Sequence, residues 1–284
     1  MPASLPTLAH AYLQVPFNIF DKVTAVSLAQ FGWQQLAAEQ GISAAQYSTF
    51  NCLKADQTVI TKPKQLVQST NDLLLIEQPD FERLQAFYDE HGLEPLPTPE
   101  LISNRTLDKL QRALAVLARV APTYACVRTL VHSVQILRQP DPEIDVSYSH
   151  PAIPFSIFVT VCEDNSTLSA LRVAEAVLHE TMHLYLTLLE RIVDLVLPSS
   201  PALYYSPWRE ENRPVRGVLH GLFVFRAVHD FYAASLNAGH YSTLEREYMA
   251  TRMETIKEEI NTLRFFSDVT ALTANGRQLV LNLL

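Results

Sequence analysis

The sequence predicts a mainly α-helical protein with a small β-sheet or hairpin, an α+β class. Three observations carry this expectation. Glycine is scarce, with 7 in 284 residues, so glycine-rich phosphate loops and many tight hairpins are disfavoured, and with them a dinucleotide-binding or all-β fold. Apolar residues at helical spacing dominate the first half of the chain. One later segment, Ile153 to Cys162, is instead dense in β-branched and aromatic residues, the composition of a strand.

The elements follow in order. Ala25 to Gln40 reads as a helix that stops at Gly41. Asp80 is placed to cap a helix from Phe81 to Glu90, and Gly92 to end it. Glu94 to Pro99 carries three prolines and reads as a connection. Thr106 to Val120 shows a helical stripe of Leu107, Leu110, Leu114 and Leu117, punctuated by Pro122. Residues 1–130 are therefore expected to form a helical N-terminal region. Val131 to Leu137 reads as a short strand, Pro140 to Ile144 as a turn, and the two strands are expected to pair as a hairpin. Asn165 or Ser166 can cap the next element. Leu168 to Val196 is apolar around almost its whole circumference, which describes a buried helix. Leu197 to Arg213, with Pro198, Pro201 and Pro207, reads as an irregular loop. Asn212 is a candidate cap, with Pro214 in the first turn of a helix running to about Leu236. Thr243 to Phe266 reads as a third, amphipathic helix. Residues 131–284 are the region expected to carry the chemistry, as a second domain or continuous with the first.

Composition excludes several classes. With 48% hydrophobic residues the chain is not a disordered one. No apolar run reaches the roughly 18 residues that a membrane span needs, and Met1 to Phe20 lacks the basic start and small-residue cleavage site of a signal peptide. The formal net charge is −8 with no run of basic residues, which opposes nucleic-acid binding. Cys52, Cys126 and Cys162 are odd in number, far apart and free of any CxxC pair, so neither a disulfide framework nor a cysteine zinc site is expected. A reduced, cytoplasmic protein without membrane or nucleic-acid partners is the expectation.

His179-Glu180-Thr181-Met182-His183 spells H-E-x-x-H inside the buried helix. Residues i and i+4 share a helix face with about 6 Å of rise between them, so both imidazoles reach one metal ion. Glu180 sits about 100° around the helix, close enough to touch a ligand on that metal. Three polar, titratable groups on an apolar helix cost several kcal/mol unless something pairs them, and a metal does so. A strand ahead of such a helix matches a zincin-like core. The competing reading is two core histidines bonded to backbone or carboxylate. A third ligand must come from elsewhere. Where the metzincin pattern continues with glycine and histidine, this chain has Leu186 and Leu189. Glu190 lies seven residues on, about 10 Å along the axis. His220 is the favoured candidate, because Gly217 and Gly221 on one side of its helix permit close approach of another helix, which would bring His220 towards His179 and His183. Arg209, Arg213 and Arg216 precede it and suit a carboxylate ligand, or else ion pairs with Glu210 and Glu211. Tyr204, Tyr205 and Trp208 in the same stretch line a pocket or cover the core.

The ordered series His179 to His183, Tyr205-Ser206-Pro207-Trp208-Arg209, Arg213-Pro214 and Val218-Leu219-His220-Gly221 resembles the HExxH-motif peptide-modification family. Its members are α-ketoglutarate-dependent peptide β-hydroxylases of ribosomal peptide (RiPP) pathways. The stretch Ser147 to Ser156 resembles the same family, and the likeness covers roughly Asp145 to Tyr232. The resemblance implies an Fe(II) site held by His179, His183 and His220, with open positions for α-ketoglutarate and O₂. It implies that Arg209 or Arg213 grips the distal carboxylate of α-ketoglutarate, and that the substrate is a ribosomally made precursor peptide. Glu180 is then an outer partner that orients water or substrate. The alternative is a zinc-dependent metallopeptidase or other hydrolase with Glu180 as general base. A third reading is a helical protein with a structural metal, which usually needs four protein ligands.

Overall fold

The computed structural model of the chain describes residues 5–14, 16–40, 54–55, 58–59, 65–68, 75–77, 79–103, 106–151, 153, 155–162, 164, 166–198, 201–239 and 241–284. Gly41, Cys52 and Asn165 lie outside them. The protein is α+β, mostly helical with a small mixed sheet. Among the described residues no helix is long and apolar enough to cross a membrane. The chain forms two compact units, one of residues 1–28 with 185–284 and one of residues 29–184, so that residue 130 lies within the latter.

The unit of residues 29–184 is built on a five-stranded sheet. Its strands are β3 (Gln65–Gln68), β4 (Leu75–Glu77), β5 (Ser133–Leu137), β6 (Ser147–Tyr148) and β7 (Ser156–Thr160), in spatial order β3-β4-β5-β7-β6. Two shorter strands, β1 (Lys54–Ala55) and β2 (Thr58–Val59), pair with each other. The expected hairpin of β5 and β7 is corrected: they are parallel, in register from Ser133↔Ser156 to Leu137↔Thr160. The reason lies in the intervening residues. They lay β6 antiparallel on the outer edge of β7 before the chain returns to run beside β5. A hairpin needs only a tight turn, whereas a parallel pair needs a crossover. β5 and β7 are buried along their whole length, as central parallel strands are. Their polar members are bonded: Ser133 Oγ meets Ser156 Oγ at 2.7 Å, and Gln135 accepts from Tyr88 Oη at 2.9 Å while donating to Glu77 at 3.0 Å.

Helices flank this sheet. Phe81–His91 (α3) ends at Gly92, whose φ of +63° is a left-handed conformation that glycine adopts freely. Thr98–Ser103 (α4), Thr106–Ala118 (α5) and Ala121–Leu130 (α6) follow, with Pro122 in the first turn of α6. The proline-rich connection docks on the sheet: Leu96 N–H donates to the Ile136 carbonyl at 2.9 Å. Phe155, at the entry to β7, holds φ at +64°, an uncommon conformation for a bulky residue. Its carbonyl accepts from His132 N–H at 2.8 Å, and its ring stacks on Trp33 at 4.1 Å.

Thr167–Glu190 (α7) begins at Ser166, whose Oγ accepts from Ser169 N–H at 3.1 Å as an N-cap. Leu171, Val177, Leu178, Met182 and Leu186 are buried around it. The helix ends at Glu190, short of the expected Val196; the chain turns there and Val196 bridges Leu272.

The other unit holds Leu5–Tyr12 (α1), a hairpin and the C-terminal helices. Lys22–Gln40 (α2) passes from this unit into the sheet unit. The stretch expected to be irregular contains strands β8 (Leu203–Ser206) and β9 (Glu211–Pro214), antiparallel from Leu203↔Pro214 to Ser206↔Glu211. Prolines misled the reading because Pro214 occupies a strand end and Pro207 the turn, where no ladder N–H is needed. Glu210 closes the turn at φ +52°. Asn212 therefore faces Tyr205 in the hairpin, and Val215–Ala238 (α8) has Pro214 at its N-cap with no side-chain cap bond. The expectation that Gly217 and Gly221 admit another helix is corrected: they face this hairpin, where a β-carbon at Gly221 would lie 2.6 Å from Trp208, which stacks on Phe225 at 4.9 Å. Thr243–Asn261 (α9) starts with a Ser242/Glu245 capping box. It is shorter than expected, giving way to a 3₁₀ turn at Arg264–Asp268 and then Ala274–Leu283 (α10).

Candidate metal centre

His179, Glu180 and His183 stand together on α7, each offering a ligand atom within 4.8 Å of the others. The two imidazoles turn the same atom towards each other: Nε2 to Nε2 is 3.2 Å. With metal–nitrogen bonds of about 2.0–2.1 Å, two cis ligands at 90–109° stand about 2.9–3.4 Å apart, so this pair fits a single first-row divalent ion. His179 is one-fifth exposed at its side chain, while Glu180 is almost fully buried. The helical repeat of α7 sets the pair on one face, one turn apart.

Glu180 is fixed from the sheet. Ser147 Oγ donates to Oε1 and Ser149 Oγ to Oε2, each at 2.6 Å, at the short end for a hydroxyl on a carboxylate. Oε1 lies 3.9 Å from His179 Nε2. Ser147 opens β6 and Ser149 follows it directly, so two hydroxyls two residues apart reach the same carboxylate. The intervening Tyr148 bonds elsewhere, its hydroxyl 3.0 Å from His91 Nδ1. Burial pushes the Tyr148 phenol up, and the charges of Glu180 and Glu90 add to it. Burial pushes His150 down; neighbouring His91 adds to this and Glu90 opposes it.

The remaining predicted residues belong to the other unit. His220, on α8, has Nε2 3.0 Å from Glu190 Oε2. Arg216 donates to the same oxygen from Nε at 2.9 Å and Nη2 at 2.7 Å. Burial pushes the Glu190 carboxyl up, but the His220 hydrogen bond and both neighbouring charges outweigh it and hold it below the ordinary range. Arg213 Nε is 3.6 Å from Glu211, the surface pairing expected as the alternative to ligand binding. Arg209 is exposed in the hairpin turn, where its N–H donates to the Ser206 carbonyl at 3.2 Å. Tyr204 packs edge-on against Phe266, Tyr205 is half exposed, and Trp208 buries its indole N–H without a hydrogen-bond partner among the described residues. Sequence reading missed the Ser147–Glu180–Ser149 arrangement. Its only signal is the alternation of two serines beside a strand, and the partner lies more than thirty residues on.

No protein-family model matches the chain, and no curated protein is detectably similar to it.

Proposed function

We propose that the protein is an Fe(II)- and α-ketoglutarate-dependent oxygenase that β-hydroxylates a residue of a ribosomally made precursor peptide. The observation that carries the metal part of this reading is the 3.2 Å approach of His179 Nε2 and His183 Nε2. The ordered motifs from Ser147 to Gly221 support the choice of oxygenase. Bound there, iron with α-ketoglutarate and O₂ supplies the oxidation of a C–H bond to C–OH, with succinate and CO₂ as co-products. His179 and His183 hold the ion, with His220 proposed as the third nitrogen. Arg209 or Arg213 is proposed to bind the distal carboxylate of α-ketoglutarate. Glu180, with both oxygens already accepting hydroxyls, acts as an outer acceptor that orients a ligand rather than as a ligand itself. A zincin-like core belongs to the same proposal.

A zinc hydrolase is the second reading. The observation favouring it is the Glu180 carboxylate 3.9 Å from His179 Nε2, where a general base for metal-bound water belongs. One experiment separates the two. Anaerobically prepared protein is supplied with Fe(II), α-ketoglutarate, O₂ and candidate precursor peptides, and the products are weighed by mass spectrometry. The oxygenase adds one oxygen to the peptide and forms succinate. A cleaved peptide without added oxygen overturns that reading in favour of the hydrolase.

A further inference from the structure

The buried carboxylate of Glu180 stands as close to the imidazole pair as a metal ligand does, yet both its oxygens are held from the sheet. Glu180 is 3% exposed, so water contributes little to its solvation. The two hydrogen bonds from Ser147 and Ser149 are short, one to each oxygen, and come from β6 and the residue that follows it. They fix both the position and the plane of the carboxylate.

We infer that Ser147 and Ser149 are positioning residues that keep Glu180 off the metal, making it an outer hydrogen-bond acceptor instead of a further ligand. This rests on the metal reading of the His179–His183 pair. A carboxylate this deep that loses both hydroxyl donors turns to the nearest cation, and the ion between the two imidazoles is that cation. An extra anionic oxygen then tightens binding and occupies a coordination position that substrate or co-substrate needs. The clamp therefore trades metal affinity for an accessible metal.

The test uses Co(II) alone with the full-length protein, reading affinity and visible absorption. Ser147→Ala/Ser149→Ala is expected to bind Co(II) about tenfold more tightly, within the range over which outer partners alter metal sites. Its absorption spectrum shifts as an oxygen ligand is gained. Ser147→Thr/Ser149→Thr, which keeps both hydroxyls, restores the wild-type affinity and spectrum. Adding Glu180→Gln to the double alanine variant removes the gained ligand and reverses the tightening. If the double alanine variant fails to fold, Ser149→Ala alone is read the same way. Unchanged or weaker Co(II) binding with an unshifted spectrum in the folded alanine variants overturns the clamp. Wild-type protein that binds no Co(II) overturns the metal reading beneath it, which is a distinguishable result.

Discussion

His179 and His183 bring Nε2 within 3.2 Å of Nε2 across one helical turn. Two such nitrogens either share a proton or share a metal, and only the second binds a divalent ion. Adding Fe(II) or Zn(II) at about 100 times its Kd is expected to stabilise the wild type by about 2.7 kcal/mol against urea. His183→Ala abolishes this gain and the metal found by elemental analysis, while the chain stays folded. Full metal content in that variant removes the pair from the site.

Arg209 and Arg213, the two arginines proposed to grip α-ketoglutarate, share one prediction. Arg209→Ala or Arg213→Ala is expected to raise the α-ketoglutarate concentration for half-maximal turnover by roughly tenfold to a hundredfold, the scale of a lost hydrogen bond between charged groups. Titrating α-ketoglutarate against succinate formation checks this. If neither substitution changes the requirement, the carboxylate anchor lies elsewhere.

Gly217 and Gly221 sit four residues apart on α8 but meet different neighbours. A β-carbon at Gly221 would stand 2.6 Å from Trp208 Cε3, whereas one at Gly217 would stand an ordinary 3.5 Å from Arg213 Nε. Gly221→Ala is expected to destabilise by about 1–3 kcal/mol through overpacking. Gly217→Ala is expected to be neutral or to stabilise by up to about 1 kcal/mol through helix propensity. Urea midpoints compare the two, and equal effects contradict the indole-in-notch packing.

Cys162 supplies a pH prediction. Burial, with the Asp145 charge adding, pushes its thiol up to about 11. Its value in the unfolded chain is about 8.5. A group with a raised folded value contributes stability that is whole below the unfolded value and is lost as pH rises towards the folded one. Between these limits wild type is expected to lose up to about 1.4 kcal/mol per pH unit more than Cys162→Ala. Parallel urea titrations at neutral and alkaline pH check it; identical slopes contradict it.

What the residues disclosed depended on how local each pattern is. The helix from Phe81 to Gly92, the cap at Ser166 and the His179–His183 pair rest on contacts within one or two turns, and all were readable. The direction of β5 beside β7 was not, because it is set by where the residues between them lay β6, on the far edge of β7. The β8–β9 hairpin was hidden by prolines at positions that need no ladder bond. Asn212 looked like a cap because its side chain suits one, but pairing with Tyr205 took precedence. The serine contacts to Glu180 join distant parts of the chain through a sheet whose order the sequence does not spell.

The placement of β6 at the sheet's edge has a temporal consequence. A folding chain whose α7 has coiled, but whose sheet has not closed, holds two adjacent imidazoles and no tethered acid. That acid is secured only after the outermost strand has docked against an already assembled neighbour. Loading such an immature intermediate with metal would capture a different coordination sphere from that of the finished protein, so, on the proposed metal reading, the order of metal uptake and tertiary closure becomes part of how the protein is made.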